Sequence, residues 1–374
     1  MLKDESSLIN GTAIYIMRRY LSSRRTIILA IVLLAFTLRG WAAIRMEVDD
    51  DEPEYMETAY DYAKKLRKGD FSAVIDYPDV REHPPLPRLL FSLTILPDDQ
   101  AVDWTGALLP SRMISAVFGT LAVWLVAIVD PLAGGLMAVQ TYMVKYTSQA
   151  YQEALPLFAS LAALFTLLFS KTRRDRWFWI SSAALGMTAA GKYTYFPIVV
   201  VILYVYIWEK KYPGRDLVWY FGLAGVTFLT LNPNLWHDPL RSFYESVSFH
   251  FNYAKGKQVR EVGFPWYQPL IWLSRSKPRK WHPDVFFYNP TELISLDGLI
   301  SLLALAAIPL LWREQRRVVI WIVSGMIFLL LWGTKWPQYI LIVVPALCLA
   351  ASAFLRRLLR FVWSRTGAKT KSRT

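Results

Sequence analysis

Apolar and polar residues alternate along this chain in long blocks rather than at the short periods of a soluble fold. Ten apolar blocks of about 15–20 residues are separated by polar connections, and blocks of this length predict helices that cross a bilayer. The pattern therefore predicts an all-α polytopic membrane protein with about ten transmembrane helices. The apolar blocks cover residues 26–44, 109–129, 136–151, 154–170, 177–190, 195–208, 217–231, 293–312, 318–332 and 339–355.

Two of the polar connections are too long to be simple turns. The first covers residues 45–108 and the second covers residues 232–292. We expect both loops to carry amphipathic helices that lie at the membrane surface. The transmembrane domain, residues 26–355, is preceded by a basic arm (residues 1–25) and followed by a basic tail (residues 356–374) that we expect to be disordered.

In the second loop, Asp238 and Pro239 predict a helix start, with Phe243, Val247 and Phe251 on one face. Basic and aromatic residues between 275 and 288 suit anionic headgroups and either an interfacial belt or an acceptor groove.

Charge indicates how the chain is oriented. The 374 residues are 54% hydrophobic and carry a formal net charge of +13. Much of the positive charge lies in the connections 171–176, 210–215 and 313–317, and connections that face the cytoplasm are typically basic. The pattern predicts cytoplasmic termini, both long loops on the outer face, and a cell membrane, or the endoplasmic reticulum membrane in a eukaryote. Charge placed in this way does not indicate nucleic-acid binding.

The densest carboxylate cluster begins the first long loop. Asp49, Asp50, Asp51 and Glu52 are consecutive, and a proline follows at a position typical of a first helical turn. Apolar residues then recur every three or four positions up to Gly69, which predicts a short amphipathic helix whose N-terminus favours ionised carboxylates. Three interpretations stay open: a solvated acidic cap, a general base at Asp51, or a divalent metal site at Asp49 and Asp51.

Several short motifs follow one another in an informative order. They are Asp51-Glu52 with Tyr55, Gly69-Asp70-Phe71, His83-Pro84-Pro85-Leu86, Gly134-Gly135-Leu136, Gly191-Lys192-Tyr193, Asn232-Pro233-Asn234-Leu235-Trp236-His237-Asp238-Pro239 and Lys335-Trp336-Pro337-Gln338-Tyr339. Together they resemble the loops and span ends of the GT-C glycosyltransferases, in particular the protein O-mannosyltransferase and lipid A aminoarabinose transferase type. The resemblance covers residues 26–350. That family often has an arginine one turn before Glu153, where this chain has Ser148 and Gln149.

The resemblance implies transfer of a sugar, such as mannose, from a polyprenyl phosphate of the dolichyl or undecaprenyl type to a hydroxyl acceptor, with inversion at the anomeric carbon. Asp51 matches the catalytic position of the family, where a carboxylate takes the proton of the acceptor, and Glu52 matches its neighbour. The sugar stays open, and so does the acceptor, which is a protein, a lipid or a glycan. No cofactor is required, and a divalent ion is the one addition considered.

Two further groups of residues are candidates for binding. Cations at the outer ends of the apolar blocks suit a lipid phosphate. The alternative for each is a residue that extends its charge to the interface, and this alternative fits Lys192 and Lys335 less well because they lie in tight turns between blocks. Aromatic and imidazole groups suit an acceptor or sugar groove, with an interfacial aromatic belt as the alternative. The phosphate candidates are Lys192, Lys335, Lys145, Arg88 and His83, and the groove candidates are Tyr55, Trp236, His237, Trp266 and Tyr267.

Two other classes of protein fit a polytopic chain. A membrane transporter or lipid flippase predicts internal repeats and polar positions at the membrane midplane, whereas the carboxylates here cluster outside the apolar blocks. A scaffold protein has no need for an acidic cluster that faces cations. The sequence therefore favours a membrane glycosyltransferase, and a transporter or flippase is the alternative.

Overall fold

A computed structural model describes residues 5–77, 83–98, 100, 102–172, 174–274 and 295–371. Every regular element in these ranges is helical, which confirms the predicted all-α class. The helices are α1 (Glu5–Arg45), α2 (Glu52–Arg67), α3 (Phe71–Ile75), α4 (Leu86–Ile95), α5 (Leu108–Val129), α6 (Pro131–Val139), α7 (Thr141–Tyr146), α8 (Ala154–Phe169), α9 (Arg176–Gly191), α10 (Pro197–Tyr204), α11 (Gly214–Thr230), α12 (Pro239–Tyr253), α13 (Lys257–Val262), α14 (Gln268–Ser274), α15 (Leu296–Glu314), α16 (Arg316–Leu331) and α17 (Val344–Lys371).

Helices of membrane-spanning character are present. Within the described ranges, three stretches are long and apolar enough to cross a bilayer, as judged by length and composition, and shorter apolar helices lie between them. Both observations agree with a polytopic membrane protein, while the number of ten spans stays a prediction. The three stretches are Ser23–Arg45, Thr105–Val129 and Leu296–Glu314, and the shorter apolar helices are Leu86–Ile95, Ala154–Phe169 and Tyr193–Glu209.

The third apolar block is broken rather than continuous. The extended backbone of Gln140, with φ −65° and ψ 128°, separates α6 from α7, and the Gln140 side chain caps α7 by accepting from the Met143 amide at 2.7 Å. Buried Asp297 accepts hydrogen bonds from Gln140 Nε2 at 2.9 Å and from the Thr141 amide at 3.1 Å. These polar contacts satisfy the backbone groups that the break exposes. The break allows residues 147–153 to form an irregular segment that reaches the acidic cluster.

Both ends of the chain differ from the prediction. Helix α1 is continuous over 41 residues from Glu5, so the basic arm extends the first spanning helix instead of forming a separate segment. Helix α17 continues to Lys371, so the expectation of a disordered tail is wrong. The physical reason is the composition of the tail, because leucine and arginine favour helix and no glycine or proline interrupts the chain between Arg356 and Gly367.

Close helix packing in the bundle depends on small residues. A Cβ atom on Gly186 of α9 would lie 2.3 Å from the Ala224 carbonyl oxygen of α11, and one on Gly134 of α6 would lie 2.5 Å from the Ala127 Cβ atom of α5. Contacts this short exclude any side chain at the two glycines. The helices therefore approach backbone to backbone, as is common where membrane helices associate.

The two predicted loop helices are both confirmed. Helix α2 begins at Glu52 with Asp51 as its N-cap residue, and Gly69 ends the segment in the left-handed region at φ 68°. Helix α12 begins at Pro239, because the Asp238 side chain caps it by accepting from the Arg241 amide at 3.1 Å. The cations and aromatic residues predicted between 275 and 288 lie outside the described residues.

Candidate active site

A buried ion pair fixes the start of α2 against α5. Arg112 of α5 donates to Glu52 through Nε at 2.8 Å and Nη2 at 2.6 Å, and the two residues are 4% and 0% exposed. The remaining guanidinium hydrogens go to the carbonyl oxygens of Ala43, Met46 and Glu47, at 2.7–2.9 Å. A planar guanidinium supplies five donors in fixed directions, so one side chain anchors the end of α1 and the first turn of α2 together.

The Glu52 carboxylate has further partners on its other side. Its oxygens also accept from the Asp49 amide at 3.0 Å and from the Ala150 amide at 2.7 Å. Four hydrogen bonds therefore occupy a group that is sealed from solvent. This arrangement suits a residue that holds the loop in place, and it leaves Glu52 little freedom to exchange a proton with a substrate.

Asp49 forms a salt bridge with Lys145. The sequence predicts Asp49 as a metal ligand and Lys145 as a ligand of the donor phosphate. Lys145 Nζ lies 3.1 Å from Asp49 Oδ2, and Gln149 Nε2 donates to the same oxygen at 2.9 Å. Among the described residues no group of three or more His, Cys, Asp or Glu is placed to hold a metal ion. The divalent site at Asp49 and Asp51 stays a prediction, and its first ligand is already paired with a lysine.

Asp51 differs from Asp49 and Glu52 because no cation in the described part of the chain forms a salt bridge with it. Its carboxylate accepts a long hydrogen bond from Gln338 Nε2, at 3.4 Å. Burial raises the pKa of Asp51 to about 7; nearby Lys192 lowers it, and the carboxylates of Glu153, Asp49 and Glu54 raise it further. The helix N-terminus was expected to favour the ionised form, but the cost of desolvation is larger. The result is a carboxyl group that exchanges a proton near neutral pH.

Lys192 is a predicted phosphate-binding cation that lies near Asp51. It follows the last residue of α9, is 1% exposed, and forms an ion pair with Glu153, which is equally buried. Its Nζ atom also lies 5.3 Å from the centroid of the Tyr339 ring. The turn Pro337–Ile342 thus places Gln338 beside Asp51 and Tyr339 beside Lys192. Three distant parts of the chain meet here.

An apolar groove begins at Lys192. It has a volume of about 520 Å³ and is lined by residues of α9, α10, α11, α12 and α16, and Lys192 is the one lysine or arginine in its described lining. The predicted apolar face of α12 supplies part of the wall. The aromatic lining residues are Tyr193, Tyr195, Phe196, Phe221, Phe228, Phe243, Phe251, Phe328 and Trp332. A groove of this size with a single buried cation suits a ligand with a long apolar body and one anionic group.

The other predicted phosphate residues have partners of their own. Arg88 is 1% exposed, lies 5.0 Å from the centroid of the Tyr55 ring and 3.9 Å from Glu54. Lys335 donates to the Trp332 carbonyl oxygen, and burial lowers its pKa. The His83 ring lies 5.0 Å from the ring of His250, a residue that lines the groove.

The residues predicted to line an acceptor groove differ in their exposure, and the groove stays a prediction. Tyr55 is buried and packs edge-on against Tyr151, with ring centroids 5.8 Å apart. Trp236, Trp266 and Tyr267 are 52%, 64% and 45% exposed. His237 lines a polar cavity, where its Nδ1 atom lies 2.6 Å from Asp76 Oδ1.

Three residues of the site were not predicted: Arg112, Glu153 and Gln338. Arg112 could have been found, because an arginine within an apolar block is a candidate for a functional or pairing role. Glu153 and Gln338 stand inside quoted motifs, but their roles depend on contacts across the fold. Glu153 supplies the partner of Lys192, and Gln338 supplies the hydrogen bond to Asp51.

The described chain is a helical bundle with helices of membrane-spanning character and carboxylates on its first loop. Solved structures of ArnT share this fold over most of the length of the chain. The crystal structure of ArnT from Cupriavidus metallidurans bound to undecaprenyl phosphate matches with a TM-score of 0.51 and 17% sequence identity. The match covers 92% of this chain and 62% of the ArnT chain. For the apo state of the same ArnT the TM-score is 0.56 and the identity 15%, with the same coverage.

These likenesses concern the fold. The chain spans 62% of the length of the ArnT structures it matches. No family model matches the sequence, and no curated protein matches it.

Proposed function

We propose that this protein is an integral membrane glycosyltransferase that moves a sugar from a polyprenyl phosphate to a hydroxyl acceptor. One observation carries the proposal: the carboxyl of Asp51, with its pKa of about 7, lies within electrostatic reach of Lys192, which lines the apolar groove. A candidate base and a candidate phosphate-binding cation thus lie near each other at an apolar groove of about 520 Å³. The bound undecaprenyl phosphate of the ArnT structure supports a donor of this kind.

The reaction needs two groups from the protein. The acceptor oxygen attacks the anomeric carbon from the face opposite the phosphate, the carbon–oxygen bond to the phosphate breaks, and the configuration inverts. Asp51 takes the proton of the acceptor hydroxyl, and Lys192 stabilises the negative charge of the departing polyprenyl phosphate. A phosphate is a good leaving group, so a strong general acid is not required.

The surrounding contacts position these two groups. The Arg112–Glu52 pair fixes the residue that follows Asp51, and Gln338 contacts the Asp51 carboxylate itself. Glu153 is the partner of Lys192 in the structure, and we infer that the donor phosphate replaces it on binding. The predicted topology, with cytoplasmic termini and this site on the outer face, forms part of the proposal.

The first test concerns the donor. Lys192→Gln is expected to weaken binding of undecaprenyl phosphate by about 10–100-fold, because a charge-assisted hydrogen bond is worth about 1.5–3 kcal/mol. Affinity is measured by titrating the lipid into the purified protein in nanodiscs. Since Lys192→Gln leaves Glu153 buried without its partner, the double variant Lys192→Gln with Glu153→Gln is measured beside it, and we expect it to fold normally and to bind as weakly.

The matched control is Lys257→Gln, which removes a lysine that is 84% exposed on α13. It should bind undecaprenyl phosphate as the unaltered protein does. Equal affinity of all the variants would show that Lys192 does not hold the phosphate, and no binding by the unaltered protein would remove the proposed donor.

The second test concerns pH. A base must be ionised, so the rate of transfer should rise with pH and reach half of its maximum near pH 7, where Asp51 loses its proton. Initial rates in liposomes between pH 5 and 9, at saturating donor, measure this profile. Glu153→Gln removes a negative charge that raises the pKa of Asp51, so its profile should move to lower pH. A rate that falls as pH rises through 7 contradicts Asp51 as the base.

A further inference from the structure

Arg39 is a buried arginine of the first spanning helix that the proposed chemistry does not use. It lies in α1 and is 0% exposed. Its Nε atom donates to Thr147 Oγ1 at 2.8 Å, and its Nη1 atom donates to the carbonyl oxygens of Ala35 and Ala138, at 3.1 and 3.4 Å. Its Nη2 atom has no hydrogen-bond partner within the described ranges. An arginine buried in an apolar bundle is costly, so it is a candidate for a specific role.

Thr147, the partner of Arg39, is the residue at which α7 ends and the irregular segment 147–153 begins. It is 0% exposed, and its hydroxyl donates to the Met143 carbonyl oxygen at 2.5 Å while it accepts from Arg39. Gly119 of α5 leaves room for this contact, since a Cβ atom there would lie 2.3 Å from Thr147 Oγ1 and 2.9 Å from Arg39 Nε. Three helices thus fix one hydroxyl group at the start of the segment.

Residues 149–153 connect this anchor to the candidate active site. They contact both sides of the site, the start of α2 next to Asp51 and the cation at the end of α9. The contacts are those of Gln149 Nε2 with Asp49 Oδ2 at 2.9 Å, of the Ala150 amide with Glu52 Oε1 at 2.7 Å, and of the Glu153 carboxylate with Lys192 Nζ. A shift of the backbone at residue 147 would displace all three contacts together, because the segment is one short stretch of chain.

We propose that Arg39 is a positioning residue that holds segment 149–153 against Lys192 and the start of α2 by binding the Thr147 hydroxyl. This inference rests on the proposed function and adds to it a residue that is absent from the described lining of the apolar groove. Its effect on the donor passes through Glu153, which occupies Lys192 until the phosphate replaces it. The anchor therefore sets how firmly Glu153 competes with the donor.

Thr147→Val tests the anchor with a small change. Valine has the shape of threonine but cannot accept the hydrogen bond of Arg39 Nε. Because a released segment holds Glu153 less firmly on Lys192, the variant should bind undecaprenyl phosphate at least about threefold more tightly than the unaltered protein does. The lipid is titrated into the full chain in nanodiscs. Damage to packing alone would weaken binding or leave it unchanged.

The pH profile of sugar transfer is a second readout. Burial raises the pKa of Asp51 to about 7, Lys192 lowers it, and Glu153, Asp49 and Glu54 raise it. A released segment admits water and moves Glu153 away, and both changes lower this pKa. The pH of half-maximal rate in liposomes should therefore fall by at least about half a unit in the variant.

Two further variants test the path from Arg39 to the donor. Arg39→Met removes the donor of the hydrogen bond instead of its acceptor and should reproduce both changes. Thr147→Val leaves the buried charge unchanged, so it stays informative if Arg39→Met does not fold. Glu153→Gln combined with Thr147→Val should bind the lipid no more tightly than Glu153→Gln alone, because the anchor acts through Glu153.

Two matched controls exclude a general effect of the exchange. Thr147→Ser keeps the hydroxyl and should match the unaltered protein in both measurements. Thr166→Val makes the same exchange at a buried threonine of α8, whose hydroxyl donates within its own helix to the Ala162 carbonyl oxygen at 2.6 Å. It should change neither measurement.

The outcomes separate the two proposals. Unchanged or weaker lipid binding in folded Thr147→Val, an unshifted pH profile, or the same changes in either control would overturn the role of Arg39. Absence of undecaprenyl phosphate binding by the unaltered protein would instead remove the proposed donor, and this inference with it. Tighter binding and a lower pH of half-maximal rate in Thr147→Val, absent from both controls, support the anchor.

Discussion

Asp51→Asn is expected to lower the rate of sugar transfer by about 10²–10⁴-fold, because an amide cannot take the proton of the acceptor hydroxyl. The amide has the same shape and can keep the hydrogen bond with Gln338 if it turns its oxygen toward that residue. Binding of undecaprenyl phosphate should therefore change by less than about twofold. The assay is transfer from a polyprenyl-phosphate sugar in proteoliposomes, with titration of the lipid as the second measurement.

Asp50→Asn is the matched control, since Asp50 is the exposed neighbour in the same acidic run. It should retain transfer, and full activity of a folded Asp51→Asn protein would remove the mechanism. That result together with transport of the lipid or the sugar would favour the transporter or flippase alternative.

Asp51→Asn also has an independent consequence for the stability of the protein. The pKa of Asp51 is raised on folding from 3.8 to about 7, so the folded state binds the proton more tightly than the unfolded state does. This stabilising effect is fully present below pH 3.8 and is lost as the pH rises through 7. Asp51→Asn should therefore unfold at a higher temperature than the unaltered protein at pH 8, and the advantage should shrink as the pH falls toward 4. A lower unfolding temperature of Asp51→Asn at pH 8 would show that the ionised Asp51 carboxylate does not destabilise the folded protein.

Arg112→Met is expected to destabilise the protein by about 3–5 kcal/mol, because it leaves the Glu52 carboxylate buried without its counter-ion. Glu52 is 0% exposed, so solvent cannot take over the role of the guanidinium. The variant also removes the donors for the carbonyl oxygens of Ala43, Met46 and Glu47. Thermal unfolding in detergent, followed by intrinsic tryptophan fluorescence, measures the effect.

A double variant separates loss of the ion pair from loss of packing. Arg112→Met combined with Glu52→Gln should be more stable than Arg112→Met alone, since the neutral amide removes the buried charge and its oxygen can still accept from one of the two backbone amides, of Asp49 or of Ala150. If the two effects simply add, the pair contributes no coupling energy and the proposed role of Glu52 in fixing the loop fails.

The helical architecture could be predicted because it depends on local pattern. Long apolar blocks predicted a membrane protein. Asp238 and Pro239 predicted the start of α12, and Gly69 predicted the end of the α2 segment. Even the face of α12 that carries Phe243, Val247 and Phe251 was visible from its spacing, and this face lines the groove. Each of these features is determined by residues that lie within a few positions of it in the sequence.

Pairing between distant side chains could not be predicted in the same way. Lys145 and Lys192 are both lysines near the ends of apolar blocks, but one is bound by Asp49 and the other lines the groove. The break at Gln140 decides this difference, and it depends on Asp297, which is 157 residues away in the chain. The raised pKa of Asp51 could not be predicted from the helix N-terminus either, because burial is a property of the whole fold.

The contact between Asp51 and Gln338 joins residues 287 positions apart, and it bears on how the protein is made. A nascent chain that has inserted only its first helices already carries the acidic run, but it lacks the segment that orients Asp51 and covers Lys192. The reactive centre is therefore assembled last, when the C-terminal helices enter the membrane. If the proposed function is correct, a chain truncated before Gln338 should therefore show no sugar transfer.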